Sequence, residues 1–186
     1  MNTTELLRYG KTGLNTLVDS ITFFYRHVSL LIISLIPAGI RLYQMWNELK
    51  TPFWLEVIVE IARLFLCLVM IAYLTNANWQ TMRKKRFWKQ LATTCSFHLQ
   101  KHWPHVFLAQ IAVFFICLYA IGNLAVTMVV QLSLVPILNL LNIAATEHAL
   151  EAGHNAYVFF LKNMSIIPLT IVYMLNMFGV GKAVVE

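Results

Sequence analysis

The stretch Trp103–Thr146, WPHVFLAQIAVFFICLYAIGNLAVTMVVQLSLVPILNLLNIAAT, contains no Asp, Glu, Lys or Arg over its 44 residues. As one helix it would run about 66 Å, twice the roughly 30 Å of bilayer hydrocarbon. The expectation is that it turns once, at Gly122-Asn123, because glycine tolerates turn dihedrals and asparagine bonds its own backbone. Two spans follow from that turn, near 104–122 and 124–145, with Pro136 kinking the second.

Three further apolar runs flank this stretch. Val28–Trp46 is interrupted only by Arg41 near its end. Arg41 can snorkel to the interface, beside an aromatic belt of Tyr43, Trp46, Phe53 and Trp54. The next run, near 55–76, carries Glu56, Glu60 and Arg63 at i, i+4 and i+7, on one helical face. The last, near 164–181, ends at Lys182. The fold expected is an all-α, polytopic transmembrane helical bundle of about five spans, with residues 1–186 forming a single integral membrane domain.

Composition agrees with that class. Hydrophobic residues make up 59% and charged residues 12%, with mean hydropathy +0.68. Soluble domains average about 45–50% apolar and 25% charged, so too little polar surface remains to coat a soluble globule. The net charge of +6 is concentrated in one segment, Arg83, Lys84, Lys85, Arg86, Lys89 and Lys101. A basic loop between apolar runs marks the cytoplasmic side and anionic lipid headgroups as its partner. It does not mark nucleic acid, for which no recognition motif is present.

Counting outward from that loop puts the protein in the cell membrane with its N-terminus cytoplasmic. The 47–54 loop and the Gly122-Asn123 turn then lie outside, residues 147–163 inside, and the C-terminus on the extracytoplasmic side. Cys67, Cys95 and Cys117 show no paired spacing, so no disulfide framework is expected. Residues 1–19 lack the charge and apolar pattern of a signal peptide, leaving the first span as its own insertion signal.

Three stretches before spans, Leu14–Tyr25, Phe87–Leu99 and Ala149–Leu161, intersperse apolar with polar residues. They suit amphipathic helices in the headgroup plane on the cytoplasmic side. Each ends in a similar elbow: Phe23-Phe24-Tyr25-Arg26-His27-Val28-Ser29, His98-Leu99-Gln100-Lys101-His102-Trp103-Pro104, and Phe159-Phe160-Leu161-Lys162-Asn163-Met164-Ser165. A basic residue is followed by His or Asn, an apolar residue, and Ser or Pro. The pattern is an internal repeat of interfacial helix, basic elbow and span. On these elbows the chain resembles bacterial integral membrane proteins of the DUF975, DUF4013 and YciC-like type, and the membrane domain attached to some glycerophosphodiester phosphodiesterases. That resemblance implies a membrane-embedded helper.

Two constellations are candidates for chemistry. His98, His102 and His105 fall at i, i+4 and i+7, and Glu147, His148, Glu151 and His154 form a second cluster with a Glu-x-x-His spacing. Together they offer nitrogen and oxygen ligands for Zn, Fe or Mn, or a histidine pair for haem. Against this, histidine is common at interfaces, Pro104 precedes His105, and a carboxylate-bridged site needs a second Glu-x-x-His. The other constellation, Arg41, Glu56, Glu60 and Arg63, reads as an intramembrane polar network that locks the first hairpin, because ionisable groups within spans need partners.

No hydrolase, zincin or P-loop signature occurs, and Asp19 is the only aspartate. No catalytic residue and no cofactor is expected. The leading functional expectation is a non-enzymatic membrane subunit, a scaffold, assembly or regulatory partner acting with another membrane protein or as a homo-oligomer. The alternatives are an oligomeric small-solute transporter or channel component using Glu60 and Arg63, and a metal- or haem-binding membrane oxidoreductase.

Overall fold

The computed structural model describes residues 3–47 and 52–182, and among these there are helices and turns but no strand. Part of the expected 47–54 loop and the last four residues lie outside the described residues. The order is α1 (Thr3–Arg26), α2 (Val28–Trp46), α3 (Phe53–Thr75), a short α4 (Trp79–Met82) and α5 (Lys85–His102). It continues with α6 (His105–Val113), a π-helical segment (Phe114–Ile121), α7 (Gly122–Leu140), α8 (Glu147–Met164), α9 (Ile166–Met177) and a 3₁₀ turn (Val180–Lys182). Four helical rods are long and apolar enough to cross a membrane: Val28–Trp46, Phe53–Thr75, His105–Leu140 and Glu147–Met177. The chain is an all-α, multi-pass membrane protein.

The expected turn at Gly122-Asn123 is absent. Gly122 has φ −61° and ψ −45°, and the rod passes through it from His105 to Leu140. The spans expected near 104–122 and 124–145 are therefore one helix, about 54 Å long at 1.5 Å per residue. Both turn signals have other uses here. Asn123 Nδ2 donates to the Tyr119 carbonyl one turn back, so its amide is satisfied within the helix. A Cβ on Gly122 would sit 2.7 Å from Ile166 Cδ1, so glycine serves close approach to the next rod.

That next rod, α8 with α9, runs antiparallel to α6–α7. Gly153 of α8 lies against Trp46, Leu134 and Leu138, while Gly179 beyond α9 lies against His98. Two placements within the bundle follow. The start of α8 sits at the opposite end of the bundle from the basic 83–101 segment, since Gly153 lies against Trp46 at the end of α2, whereas Asn163 reaches Arg63 midway along α3. Residues 178–182 sit beside α5, at the same end of the bundle as that segment.

The main core is Phe24, Leu30, Leu66, Met70, Leu118, Leu169, Val172, Tyr173 and Met177, drawn from α1, α2, α3, the π segment and α9. Helix α1 packs on α6 and α9 through one face and exposes Leu7, Leu14, Val18, Ile21 and Tyr25 on another. That second stripe follows the three-to-four residue spacing of one helical face. A smaller cluster of Ile71, Met82, Phe87, Leu91 and Val180 fastens α5 to the end of α3 and to the C-terminal turn.

The helices break at the elbows, and the breaks share one bond. His27 Nδ1 meets the Phe23 carbonyl at 2.7 Å, His102 Nδ1 meets the His98 carbonyl at 2.8 Å, and Asn163 Nδ2 donates to the Phe159 carbonyl at 2.8 Å. In each, a side chain in the last turn or just past it folds back onto the carbonyl four residues earlier. The third elbow differs in setting, since α8 before it belongs to the bundle and not to a separate interfacial layer.

Candidate functional site

Where α1 crosses α6 and α9, the structure holds a cavity of about 550 Å³. One wall comes from α1. Its residues Thr12, Thr16 and Ser20 recur every four positions, so they stack along one side. Each hydroxyl donates to the carbonyl four residues back: Thr12 to Arg8 at 3.1 Å, Thr16 to Thr12 at 3.0 Å, and Ser20 to Thr16 at 2.6 Å. Two amides from other helices then bond these hydroxyls. Gln110 Nε2 of α6 lies 3.0 Å from Thr16 Oγ1, and Asn176 Nδ2 of α9 lies 3.0 Å from Ser20 Oγ. Asn15 and Asp19 of α1 complete this wall.

The opposing residues come from α5, the first elbow and the C-terminal turn. His98 is buried, its ring stacks on His102 with centroids 4.1 Å apart, and its Nε2 lies 3.1 Å from Lys182 Nζ. Since an ammonium only donates, Nε2 is the acceptor and the proton of neutral His98 sits on Nδ1. Burial, followed by the positive charges of Lys182, His102 and Lys101, pushes the His98 pKa down to about 4. Its Nδ1 is turned toward the Met177 backbone but lacks a full hydrogen bond. Gly179 supports the ring from beneath. It has φ +78°, and a Cβ there would meet His98 Cγ at 2.5 Å, so both backbone and space require glycine. His27 adds a stack on Tyr73, with centroids 4.6 Å apart.

The cavity unites His98 and His102 from the first histidine cluster but not His105. The helix breaks between His102 and His105, and the His105 ring stacks instead on Tyr9 at 5.9 Å. The second cluster, Glu147, His148, Glu151 and His154, lies on α8 at the other end of the bundle. About 26 residues of helical rise, roughly 40 Å, separate Gly153 from Gly179. The two clusters cannot build one site. Among the described residues no group of three or more His, Cys, Asp or Glu side chains could hold a metal ion. The His98 and His102 rings face each other at stacking distance.

The membrane-embedded charges resolve into two pairs. Arg41 of α2 meets Glu56 of α3 side-on, Nη1 to Oε1 at 2.6 Å and Nη2 to Oε2 at 2.5 Å, and also donates to Gln44 at 3.1 Å. This fork-on-fork contact ties the first hairpin together. Arg63 instead pairs with Glu60 at 2.6 Å on its own helix and donates to Asn163 of α8 at 2.9 Å. That second pair anchors α3 to the third elbow and lies outside the cavity. The six basic residues Arg83, Lys84, Lys85, Arg86, Lys89 and Lys101 are all exposed.

Sequence reasoning passed over the α1 wall and Lys182. The signal was present: polar residues at 12, 15, 16, 19 and 20 form a stripe on an otherwise amphipathic helix. Comparison of the chain with protein-family models, curated proteins and solved structures finds no match.

Proposed function

We propose that this chain is a non-enzymatic integral membrane subunit, a scaffold, assembly or regulatory partner of a cell-membrane complex. The observation that carries the reading is the continuous apolar rod His105–Leu140. At about 54 Å it exceeds a 30 Å hydrocarbon layer by about 24 Å. Its outer face stays apolar along that length, with Leu108, Phe115, Ile116, Leu124, Met128 and Leu132 all exposed. Lipid covers part of this face, and a second membrane protein or a second copy covers the rest. The elbow resemblance to bacterial membrane helpers points the same way.

The basic 83–101 segment lies at the cytoplasmic face, against anionic headgroups. The cavity and residues 178–182 lie on that side with it. A photo-crosslinking residue at Leu132 in intact cells is expected to give one discrete protein adduct. Lipid-only adducts, together with a strict monomer by light scattering in nanodiscs, would overturn the reading.

The polar cavity favours a second reading, a small-solute transporter or channel component acting as an oligomer. Vesicle flux that is insensitive to both Asp19→Asn and Glu60→Gln would remove it.

A further inference from the structure

The charges of the cavity are matched but not joined. Asp19 and Lys182 both line it, yet the ion pairs among the described residues are Arg41–Glu56 and Arg63–Glu60. Opposite charges held apart in one polar cavity form the complement of a ligand that itself carries both charges.

The wall around Asp19 adds acceptors to its carboxylate. A hydroxyl has one proton, and that of Thr16 is committed to the Thr12 carbonyl. Thr16 Oγ1 must therefore accept from Gln110, which fixes the amide with Nε2 toward Thr16. Gln110 Oε1 is left without a partner, although Gln110 is only 4% exposed. A buried carbonyl oxygen without a donor costs about 1–3 kcal/mol, which a ligand N–H would recover. The same proton count at Ser20 turns Asn176 Nδ2 inward and leaves its Oδ1 near Gly181, another cavity residue. Donors stand on the other side: the Lys182 ammonium, with His102 beside it.

From Asp19 and Lys182, which form no ion pair among the described residues, and the orphaned Gln110 Oε1, we infer that this cavity binds a zwitterion. Its ammonium group would lie on the Asp19–Gln110 wall and its oxyanion against Lys182. A phosphoethanolamine-type group meets that chemistry, whether free in solution or as a lipid headgroup entering from the bilayer. The inference does not depend on the rod-face reading above, and its failure would leave that reading standing.

The test is calorimetric titration of the full chain in maltoside micelles. The probes are O-phosphoethanolamine, ethanolamine, inorganic phosphate, and short-chain phosphatidylethanolamine and phosphatidylglycerol. At least one zwitterionic probe is expected to bind ten-fold or more tightly than ethanolamine, phosphate or phosphatidylglycerol. Binding of free O-phosphoethanolamine equal to that of the lipid identifies a soluble ligand, and binding of the lipid alone identifies a headgroup. Asp19→Asn and Lys182→Gln, both at exposed positions, should each weaken the zwitterion at least ten-fold, whereas Lys89→Gln on the basic surface should not. Saturable binding by no zwitterion overturns the inference. So does equal binding of phosphate or phosphatidylglycerol, or wild-type affinity in both cavity variants.

Discussion

Substituting Gly179 with alanine tests how the C-terminal turn is held on α5. Two costs follow from the structure. The backbone at φ +78° is left-handed, which costs an L-residue with a Cβ roughly 1–2 kcal/mol. The new Cβ would also meet the His98 ring at 2.5 Å, and that ring is hemmed by His102 at 4.1 Å and by Lys182. Displacing a packed ring adds roughly 1–3 kcal/mol. Gly179→Ala should therefore destabilise by about 2–5 kcal/mol, measured as the midpoint shift of detergent-titrated unfolding followed by tryptophan fluorescence. In a His98→Ala background the steric part should vanish and only the backbone cost remain, about 1–2 kcal/mol. An equal cost in both backgrounds, or a wild-type cost under about 0.5 kcal/mol, would refute the ring-on-glycine packing.

Three other outcomes are expected. Glu56→Ala leaves the Arg41 guanidinium, 16% exposed, without its fork partner, and should cost about 2–4 kcal/mol, whereas the double change Arg41→Met with Glu56→Met should stay within about 1 kcal/mol of wild type. Folding holds the His98 pKa near 4, below its ordinary 6.5, so the unfolded chain takes up the proton first as pH falls. The stability from neutral His98 is complete above pH 6.5 and declines toward pH 4, by about 1–2 kcal/mol after solvent screening. His98→Gln should flatten that slope. In a cysteine-free background, single cysteines from 118 to 127 should all resist a membrane-impermeant maleimide; reaction centred on 122–123 would restore the turn that the continuous helix denies.

Much of the fold was legible because apolar runs bounded by charge can only cross a bilayer as helices. The first rod matches its expected limits, and the second begins two residues earlier and ends one earlier than expected. The elbow positions were legible too, since Arg26-His27, Lys101-His102 and Lys162-Asn163 each stand where a helix breaks or is about to. Gly122-Asn123 misled because the same two residues suit a tight turn and a close helix crossing, and only Ile166, far along the chain, decides between them. A long charge-free stretch sets an upper bound on helix length only if every part of it faces lipid.

The candidate site was less legible for a similar reason. His98 and His102 share a face by local spacing, but Gly179 and Lys182 join them through a contact that crosses some eighty positions. Thr12, Thr16 and Ser20 look like ordinary polar residues of an interfacial helix. Their role arises from Gln110 and Asn176 reaching them from two other rods.

The hydroxyl series on α1 also gives the cavity a polarity inherited from chain direction. Helical carbonyls point toward the C-terminus, so a Thr or Ser that donates backward to one of them spends its only proton there. Its lone pair then orders the amide that reaches it, and that amide turns its oxygen to the ligand. Replacing Thr16 by alanine would do more than delete a bond. It would release Gln110 to rotate by half a turn and offer N–H where it now offers oxygen. That single loss of a hydroxyl, on the helix that also carries Asp19, would weaken the wall's preference for an ammonium group.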